Sequence, residues 1–179
     1  MTERSFVCKG IMATTINRIG IACCFLVASS SIGFSEDRLG LGSNGAAFQA
    51  RFGPPIRGGP ELTDFRKCPG RTALAEWSVT FRDDKAIAIT RNACPPAVHQ
   101  PSVADAEAKS MFPADAVPGK EFSTTDGWKA RAYRSAQLGK VLPSKAFEDC
   151  DSKPVPSGTF FYLLSPERKS WIIGAGLCP

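Results

Sequence analysis

The stretch Cys68–Cys94, which reads CPGRTALAEWSVTFRDDKAIAITRNAC, decides the fold. It contains two strand-like runs, Ala73–Phe81 and Ala86–Thr90, and a polar turn joins them at Arg82–Lys85. In the first run apolar and polar side chains alternate, and this period of two is typical of a strand with one buried face. The stretch therefore predicts a β-hairpin with a cysteine beyond each open end.

The register of this hairpin depends on the length of its turn. A three-residue loop, Asp83–Lys85, places Phe81 opposite Ile87. The same loop places Val79 opposite Ile89, so that apolar side chains meet on one face. A two-residue loop would set both isoleucines opposite polar residues, because a slip of one position turns every side chain to the other face. We therefore predict the three-residue loop, with its two aspartates as turn formers rather than a catalytic acid pair.

The first 35 residues have the order of a secretory signal peptide. Arg18 precedes the apolar run Ile19–Ala28, and small residues follow as far as Ser35. A basic, then apolar, then small order is typical of a leader, and the run is too short to span a bilayer. We predict that residues 1–35 are cleaved, with a buried apolar segment as the alternative. The protein would then be periplasmic or secreted, with no transmembrane segment left after cleavage.

Composition and charge narrow the class of protein. The chain has 43% hydrophobic and 22% charged residues, which is typical of a globular protein. Three of the 22 basic and one of the 17 acidic residues lie in the leader, so 19 and 16 remain and the net charge is +3. This weak bias does not indicate a nucleic-acid partner.

Four cysteines remain after the leader: Cys68, Cys94, Cys150 and Cys178. An even number in an exported chain indicates disulfides, and four cysteines allow three connectivities. The hairpin favours a bond between Cys68 and Cys94. A bond between Cys150 and Cys178 is favoured for the same reason, because these two flank a second pair of strand-like runs. No C-x-x-C pair is present, so the spacing does not indicate a zinc site.

A short helix is predicted ahead of the hairpin. Ser43 or Asn44 can cap it, and Phe48 and Phe52 share one face, which we expect to pack on the hairpin. The chain from Pro54 to Gly70 reads as a loop, because proline and glycine breakers recur in it. This segment and the next residue carry four basic side chains: Arg57, Arg66, Lys67 and Arg71. We read them as a solvated surface, with a binding loop for an acidic partner as the alternative.

A second helix is predicted from Ser102 to Pro113, followed by a strand at Trp128–Ser135. The apolar face of this helix is formed by Ala104, Ala108, Met111 and Phe112. One face of the strand carries its tryptophan and two alanines, and the other carries Lys129, Arg131 and Tyr133. A tyrosine beside two basic groups can recognise an anionic or aromatic ligand. We therefore predict a binding surface at these three residues, with an ordinary solvated face as the alternative.

Helix, cysteine, hairpin and Cys-Pro occur twice, ending at Asn92–Pro95 and at Gly176–Pro179. We predict an α+β fold for residues 36–179, with two short helices packed on an antiparallel sheet built from two disulfide-flanked hairpins. The repeated order suggests a degenerate internal duplication, with subdomains at roughly 43–95 and 102–179. In helix-then-sheet order over residues 43–177 the chain resembles β-lactamase-inhibitor-protein and outer-membrane small-lipoprotein modules. No residue role follows from this resemblance.

The sequence carries no motif for a nucleophile, a metal or a phosphate. His99, the only histidine, reads as a surface residue, and the prolines of Leu138–Gly158 predict a loop. We therefore predict no cofactor and an exported binding module, inhibitor-like or adaptor-like. Its partner would be an unknown protein or a small anionic ligand of the envelope or exterior. A small envelope hydrolase with an unrecognised acid-based site and an envelope structural protein are the alternatives.

Overall fold

The computed structural model describes residues 38–94, 101–124, 128–165 and 170–179. The predicted leader and His99 lie outside these residues. The described part of the chain contains three α-helices, eight strands and one short 3-10 helix. In chain order the elements are α1 (Gly45–Phe52), β1 (Pro55–Gly58), β2 (Leu62–Cys68), β3 (Arg71–Arg82), β4 (Lys85–Arg91), α2 (Pro101–Ser110), β5 (Val117–Ser123), β6 (Lys129–Arg134), α3 (Ala136–Val141), the 3-10 helix Ser144–Ala146, β7 (Thr159–Ser165) and β8 (Ser170–Ala175).

The strands form one antiparallel sheet in the order β1-β2-β3-β4-β8-β7-β6-β5. Strands β1–β4 make one meander and β5–β8 make a second, and the two meet where β4 pairs with β8. One helix, α1 or α2, precedes each meander in the chain. The predicted α+β fold is confirmed: a helix followed by four strands occurs twice, with α3 and the 3-10 helix inserted between β6 and β7 of the second set.

The segment predicted as a loop between the first helix and the hairpin forms strands β1 and β2 instead. They pair antiparallel at the edge of the sheet, where Pro55 is tolerated because an edge strand needs fewer N–H donors. In β2 the register shifts between Lys67 and Cys68, and Arg66 has a left-handed φ of 54°. This irregularity removes the period of two by which a strand is recognised in sequence. With β1 and β2, the first half has four strands, like the second.

The turn between β3 and β4 has two residues, not the three that we predicted. Arg82 pairs with Lys85, and only Asp83 and Asp84 lie between them. Both aspartates have left-handed φ angles, 50° and 56°, which two-residue hairpin turns of type I′ require. Aspartate tolerates this conformation better than most residues, so the two carboxylates serve the turn.

A bulge restores the register that the shorter turn would have lost. The ladder shifts between Thr80 and Phe81, so Phe81 pairs with Ala86 rather than with Ile87. Val79 still pairs with Ile89, as the sequence predicted, and both are fully buried. The extra residue of a bulge compensates for one residue of turn length, so burial decides the register of the central pair.

Helix α1 packs on this hairpin as predicted. The side chain of Asn44 caps it by accepting a hydrogen bond from a backbone amide in its first turn, at 2.9 Å. Phe48 is fully buried, with its ring edge-on to Phe81 at 5.6 Å. The ring of Phe52 stacks on Trp77 with centroids 4.4 Å apart. The i, i+4 pair of phenylalanines therefore joins α1 to β3.

Helix α2 covers the same face of the sheet, farther along. Its predicted apolar residues are buried: Ala104, Ala108, Met111 and Phe112. The ring of Phe112 meets three aromatic rings of β6 and β7 edge-on: Tyr133, Phe160 and Tyr162. Side chains from α1, α2 and α3 belong to one apolar cluster with the sheet, so the main core lies between the helices and one sheet face.

Two further elements, β5 and α3, were not predicted. Helix α3 has six residues, too few to show a helical period. Its cap is Ser135, whose hydroxyl accepts a hydrogen bond from the amide of Leu138 and donates one to Asp115. Asp115 also accepts from the amide of Gln137 at 2.9 Å. Burial raises the pKa of Asp115, but these hydrogen bonds outweigh it and leave the pKa below its ordinary value.

The two disulfides join the cysteine pairs that the hairpins favoured. Cys68 is bonded to Cys94, and Cys150 is bonded to Cys178, with sequence separations of 26 and 28 residues. Cys68 is the last residue of β2, and Cys150 lies in the connection between β6 and β7; the partner of each follows the fourth strand of its meander. The first pair is buried and the second is exposed.

Candidate functional site

The three residues of the predicted binding surface line one cleft of about 210 Å³. Lys129, Arg131 and Tyr133 come from β6, and their face of the strand is the one that α2 covers. The other polar groups of the cleft are Asp105 and Lys109 from α2, Glu121 from β5 and Tyr162 from β7. The cleft is therefore assembled from one helix and three neighbouring strands.

Tyr133 belongs to the core rather than to an open surface. It is 7% exposed, its ring stacks on Phe160 at 5.2 Å, and it meets Phe112 edge-on at 4.8 Å. Lys129 and Arg131 are exposed at the mouth of the cleft. On the opposite face of the sheet Ala130 packs in a separate small cluster with strand β7. Tyr133 therefore forms the floor of the cleft, and the two cations form its rim.

Sequence reasoning missed Tyr162, the residue with the most unusual environment in the cleft. Its side chain is 8% exposed, and its hydroxyl has no hydrogen-bond partner within the described residues. Burial raises the pKa of Tyr162, and the nearby Asp105 carboxylate and Tyr133 raise it further. Asp105 is near enough to the Tyr162 hydroxyl to change its pKa, but the two groups do not have the geometry of a formed hydrogen bond. Tyr162 thus remains a neutral phenol, able to donate or accept. The only signal in the sequence is a lone tyrosine in an apolar run.

The charged groups of the cleft are mostly arranged in pairs. Lys109 Nζ lies 2.7 Å from Asp105, and Arg131 lies 2.5 Å from Glu121. The hydrogen bond to Glu121 and its charge raise the pKa of Arg131. Lys129 has no ion-pair partner among the residues that the structure describes. The described lining of the cleft has three cations and two carboxylates, an excess of one positive charge.

A buried charge network holds α2 in place beside the cleft. Arg91 on β4 is 6% exposed, and its guanidinium lies 2.9 Å from Glu76 and 3.6 Å from Glu107. The same guanidinium stands 5.0 Å from the centroid of the Trp77 ring, within the range of a cation–π contact. Because Glu107 belongs to α2, this network fixes the helix relative to the centre of the sheet.

The predicted basic loop lies elsewhere, at the edge formed by β1 and β2. Arg57 Nε donates a hydrogen bond to Oδ2 of Asp64 at 2.7 Å, and the hydroxyl of Ser78 donates one to Oδ1 of the same carboxylate at 2.6 Å. Arg66 lies 3.7 Å from Glu76. The remaining two cations of this loop are exposed: Lys67 and Arg71.

The edge groove beside these residues, of about 680 Å³, differs from the cleft in one respect. Both oxygens of its buried carboxylate are already bonded within the protein. Among the described residues that line the edge groove, no buried side-chain nitrogen or oxygen lacks a hydrogen-bond partner.

Across the described ranges, no group of three or more histidine, cysteine, aspartate or glutamate side chains is placed to hold a metal ion. Within the same ranges, no helix is both long enough and apolar enough to cross a bilayer. Among the residues that the structure describes, the cleft offers a neutral phenol, one cation without an ion pair, and two carboxylates paired with cations. These groups bind by charge and hydrogen bonds.

Comparison with known proteins found no matching family model, no similar curated protein and no similar solved structure. The resemblance to inhibitor and lipoprotein modules stays one of element order. The function of this protein is therefore inferred from the cleft itself.

Proposed function

We propose that the protein is an exported, disulfide-stabilised binding module that holds a small ligand in the cleft between α2 and strands β6 and β7. The observation that carries this proposal is Tyr162, a residue of the cleft lining whose buried hydroxyl has no partner in the described structure. An unpaired buried hydroxyl costs about 1–3 kcal/mol, and a ligand atom in the cleft would recover that free energy. Buried polar side-chain groups without partners are rare in native proteins, and this one belongs to a residue that lines a cleft.

Binding rather than catalysis fits the state of the ionisable groups. Both carboxylates of the cleft already face a cation, Asp105 at 2.7 Å and Glu121 at 2.5 Å. A general acid or base works best with a pKa near the operating pH. The pKa of Tyr162 is raised above its already high ordinary value, so this phenol stays protonated at neutral pH. The cleft thus supports recognition of a ligand that leaves unchanged.

Two features support export. Disulfides persist in oxidising compartments, and the structure contains two of them. The first 35 residues have the basic, apolar and small order of a leader. The proposed site of action is therefore the periplasm or the exterior.

An NMR titration tests the cleft. The disulfide-intact, ¹⁵N-labelled protein is titrated with amino acids, sugars, sugar acids and simple carboxylates. We expect amide shifts to concentrate at Lys129, Arg131 and Tyr162, and to weaken in the Tyr162→Phe variant. Lys67→Gln is the matched control, since it removes an exposed cation from the other half of the sheet. Shifts confined to the edge groove of Arg57, or no shifts with the whole panel, would overturn the proposal.

The mass of the protein isolated from its host tests export. We expect a chain that starts near Ser31 or Glu36, with four cysteines protected from alkylation until they are reduced. An uncleaved chain with seven free thiols would contradict export.

A further inference from the structure

We infer that the cleft selects a small hydroxylated carboxylate, such as a sugar acid or another hydroxy acid. This inference rests on the proposed function, because it names the ligand class of the same cleft. Three properties of the lining carry it: the excess positive charge, the position of a phenol beside a carboxylate, and the size of the space.

The first property is charge. Lys109 and Arg131 already face carboxylates, which leaves Lys129 to balance a ligand. Within the described lining, this one cation without an ion pair matches one negative charge on a ligand. A phosphate monoester carries about −1.5 to −2 at neutral pH, so it would meet repulsion from Asp105 and Glu121 without a second free cation. The cleft therefore favours a single carboxylate over a phosphate.

The second property is the placement of Tyr162 beside Asp105. The neutral phenol can donate or accept a hydrogen bond, and the carboxylate can only accept. An alcohol matches both groups, because its oxygen accepts from the phenol while its proton goes to the carboxylate. A second carboxylate on the ligand could not donate to Asp105, and an apolar group would leave the buried hydroxyl unpaired. The ligand therefore carries at least one hydroxyl near its acid group.

The third property is size and polarity. The space is about 210 Å³, below the roughly 300–1,000 Å³ of pockets that hold drug-sized molecules. Leu164 supplies the aliphatic side chain of this wall, because the side chain of Ala130 packs on the opposite face of the sheet, and charged groups or phenols supply the other side chains of the lining. A small polar molecule fits this wall better than an acyl chain does.

Calorimetric titration of the disulfide-intact protein with four probes tests the ligand class. The probes are D-glucuronate, D-glucose, D-glucose 6-phosphate and benzoate, which separate the acid, the hydroxyls and the charge. We expect D-glucuronate to bind at least tenfold more tightly than each of the others. Lys129→Gln should weaken D-glucuronate about tenfold, since a charge-assisted hydrogen bond is lost, and should leave D-glucose unchanged. Tyr162→Phe should weaken both sugars, and Lys67→Gln should weaken neither.

Equal binding of D-glucose, or tighter binding of the phosphate or of benzoate, would overturn the ligand class. So would an absence of binding by D-glucuronate. The NMR panel separates these failures from failure of the proposed function. If another probe shifts Lys129 and Tyr162, only the ligand class is wrong, whereas a panel without any cleft shift overturns both.

Discussion

The indole nitrogen of Trp171 on β8 donates a hydrogen bond to Oε2 of Glu107 on α2 at 3.1 Å. The same carboxylate oxygen faces Arg91, which pairs with Trp171 in the ladder between β4 and β8. Glu107 thus attaches α2 to the junction of the two meanders. Because α2 also carries Asp105 and Lys109, this contact positions one wall of the cleft.

Removal of this carboxylate should weaken both the fold and the cleft. Glu107→Ala removes the acceptor of the Trp171 indole N–H and one ion-pair partner of Arg91, so we expect the free energy of unfolding to fall by about 1–3 kcal/mol. Urea denaturation measures the change. Glu61→Ala is the control, because Glu61 is exposed, and its effect should stay within about 0.5 kcal/mol. Equal stability of the two variants would show that α2 is held by its apolar face alone.

Tyr162→Phe should stabilise the ligand-free protein while it weakens binding. The substitution removes a buried hydroxyl that has no partner in the described structure, so the free energy of unfolding should rise by about 1 kcal/mol. Thermal and urea unfolding at pH 7 measure this change. A loss of stability would mean that the hydroxyl makes a stabilising contact within the ligand-free protein.

The same residue should make the protein sensitive to alkali. The folded pKa of Tyr162 lies above its ordinary value of about 10, so the unfolded chain releases this proton first. The contribution of the protonated Tyr162 phenol to the free energy of unfolding is fully present below pH 10, and it is lost as the pH rises further. We expect the wild-type protein to lose stability between pH 10 and 11.5 more steeply than Tyr162→Phe does. Parallel curves for the two proteins would contradict the burial of this phenol.

Phe161 lies across Gly174 on the sheet face opposite the helices, and the two residues are direct partners in the β7–β8 ladder. A Cβ on Gly174 would stand 2.6 Å from Cε1 of the Phe161 ring. Gly174→Ala should therefore lower the free energy of unfolding by about 1–3 kcal/mol through overpacking. Gly59→Ala is the control, since no heavy atom lies within 4 Å of the place that its Cβ would take, and it should be nearly neutral. Recovery by Phe161→Leu in the Gly174→Ala background would identify the ring as the cause.

The two disulfides should differ in their reactivity toward thiols. Cys150 and Cys178 are exposed, whereas Cys68 and Cys94 are 2% and 7% exposed. A reducing thiolate must reach a sulfur atom, so dithiothreitol should open the Cys150–Cys178 bond first. Alkylation during the time course, followed by peptide mass mapping, identifies the first thiols. Labelling of Cys68 and Cys94 ahead of the other pair would contradict the prediction.

Local patterns in the sequence sufficed for several elements. The alternation in β3, the Asn44 cap with Phe48 and Phe52, and the apolar face of α2 each depend on neighbours within one element or one hairpin. The cysteine pairs followed from the hairpins, because a hairpin brings its two open ends together. In all these cases the information lies within about 30 residues of chain, and a period or a spacing reveals it.

The tertiary structure alone decided the rest. Strands β1, β2 and β5 are short or irregular, so their periods are hidden, and the bulge at Ile87 is visible only once burial has chosen the register. Sequence grouped Lys129, Arg131 and Tyr133 but did not show that α2 covers them. In the sequence, Tyr162 reads as one apolar position in a central strand. Its hydroxyl becomes a buried, unpaired group only because α2, the helix that carries Asp105, packs over this face of the sheet. Burial by a distant element has no local signature, and here that burial creates the cleft.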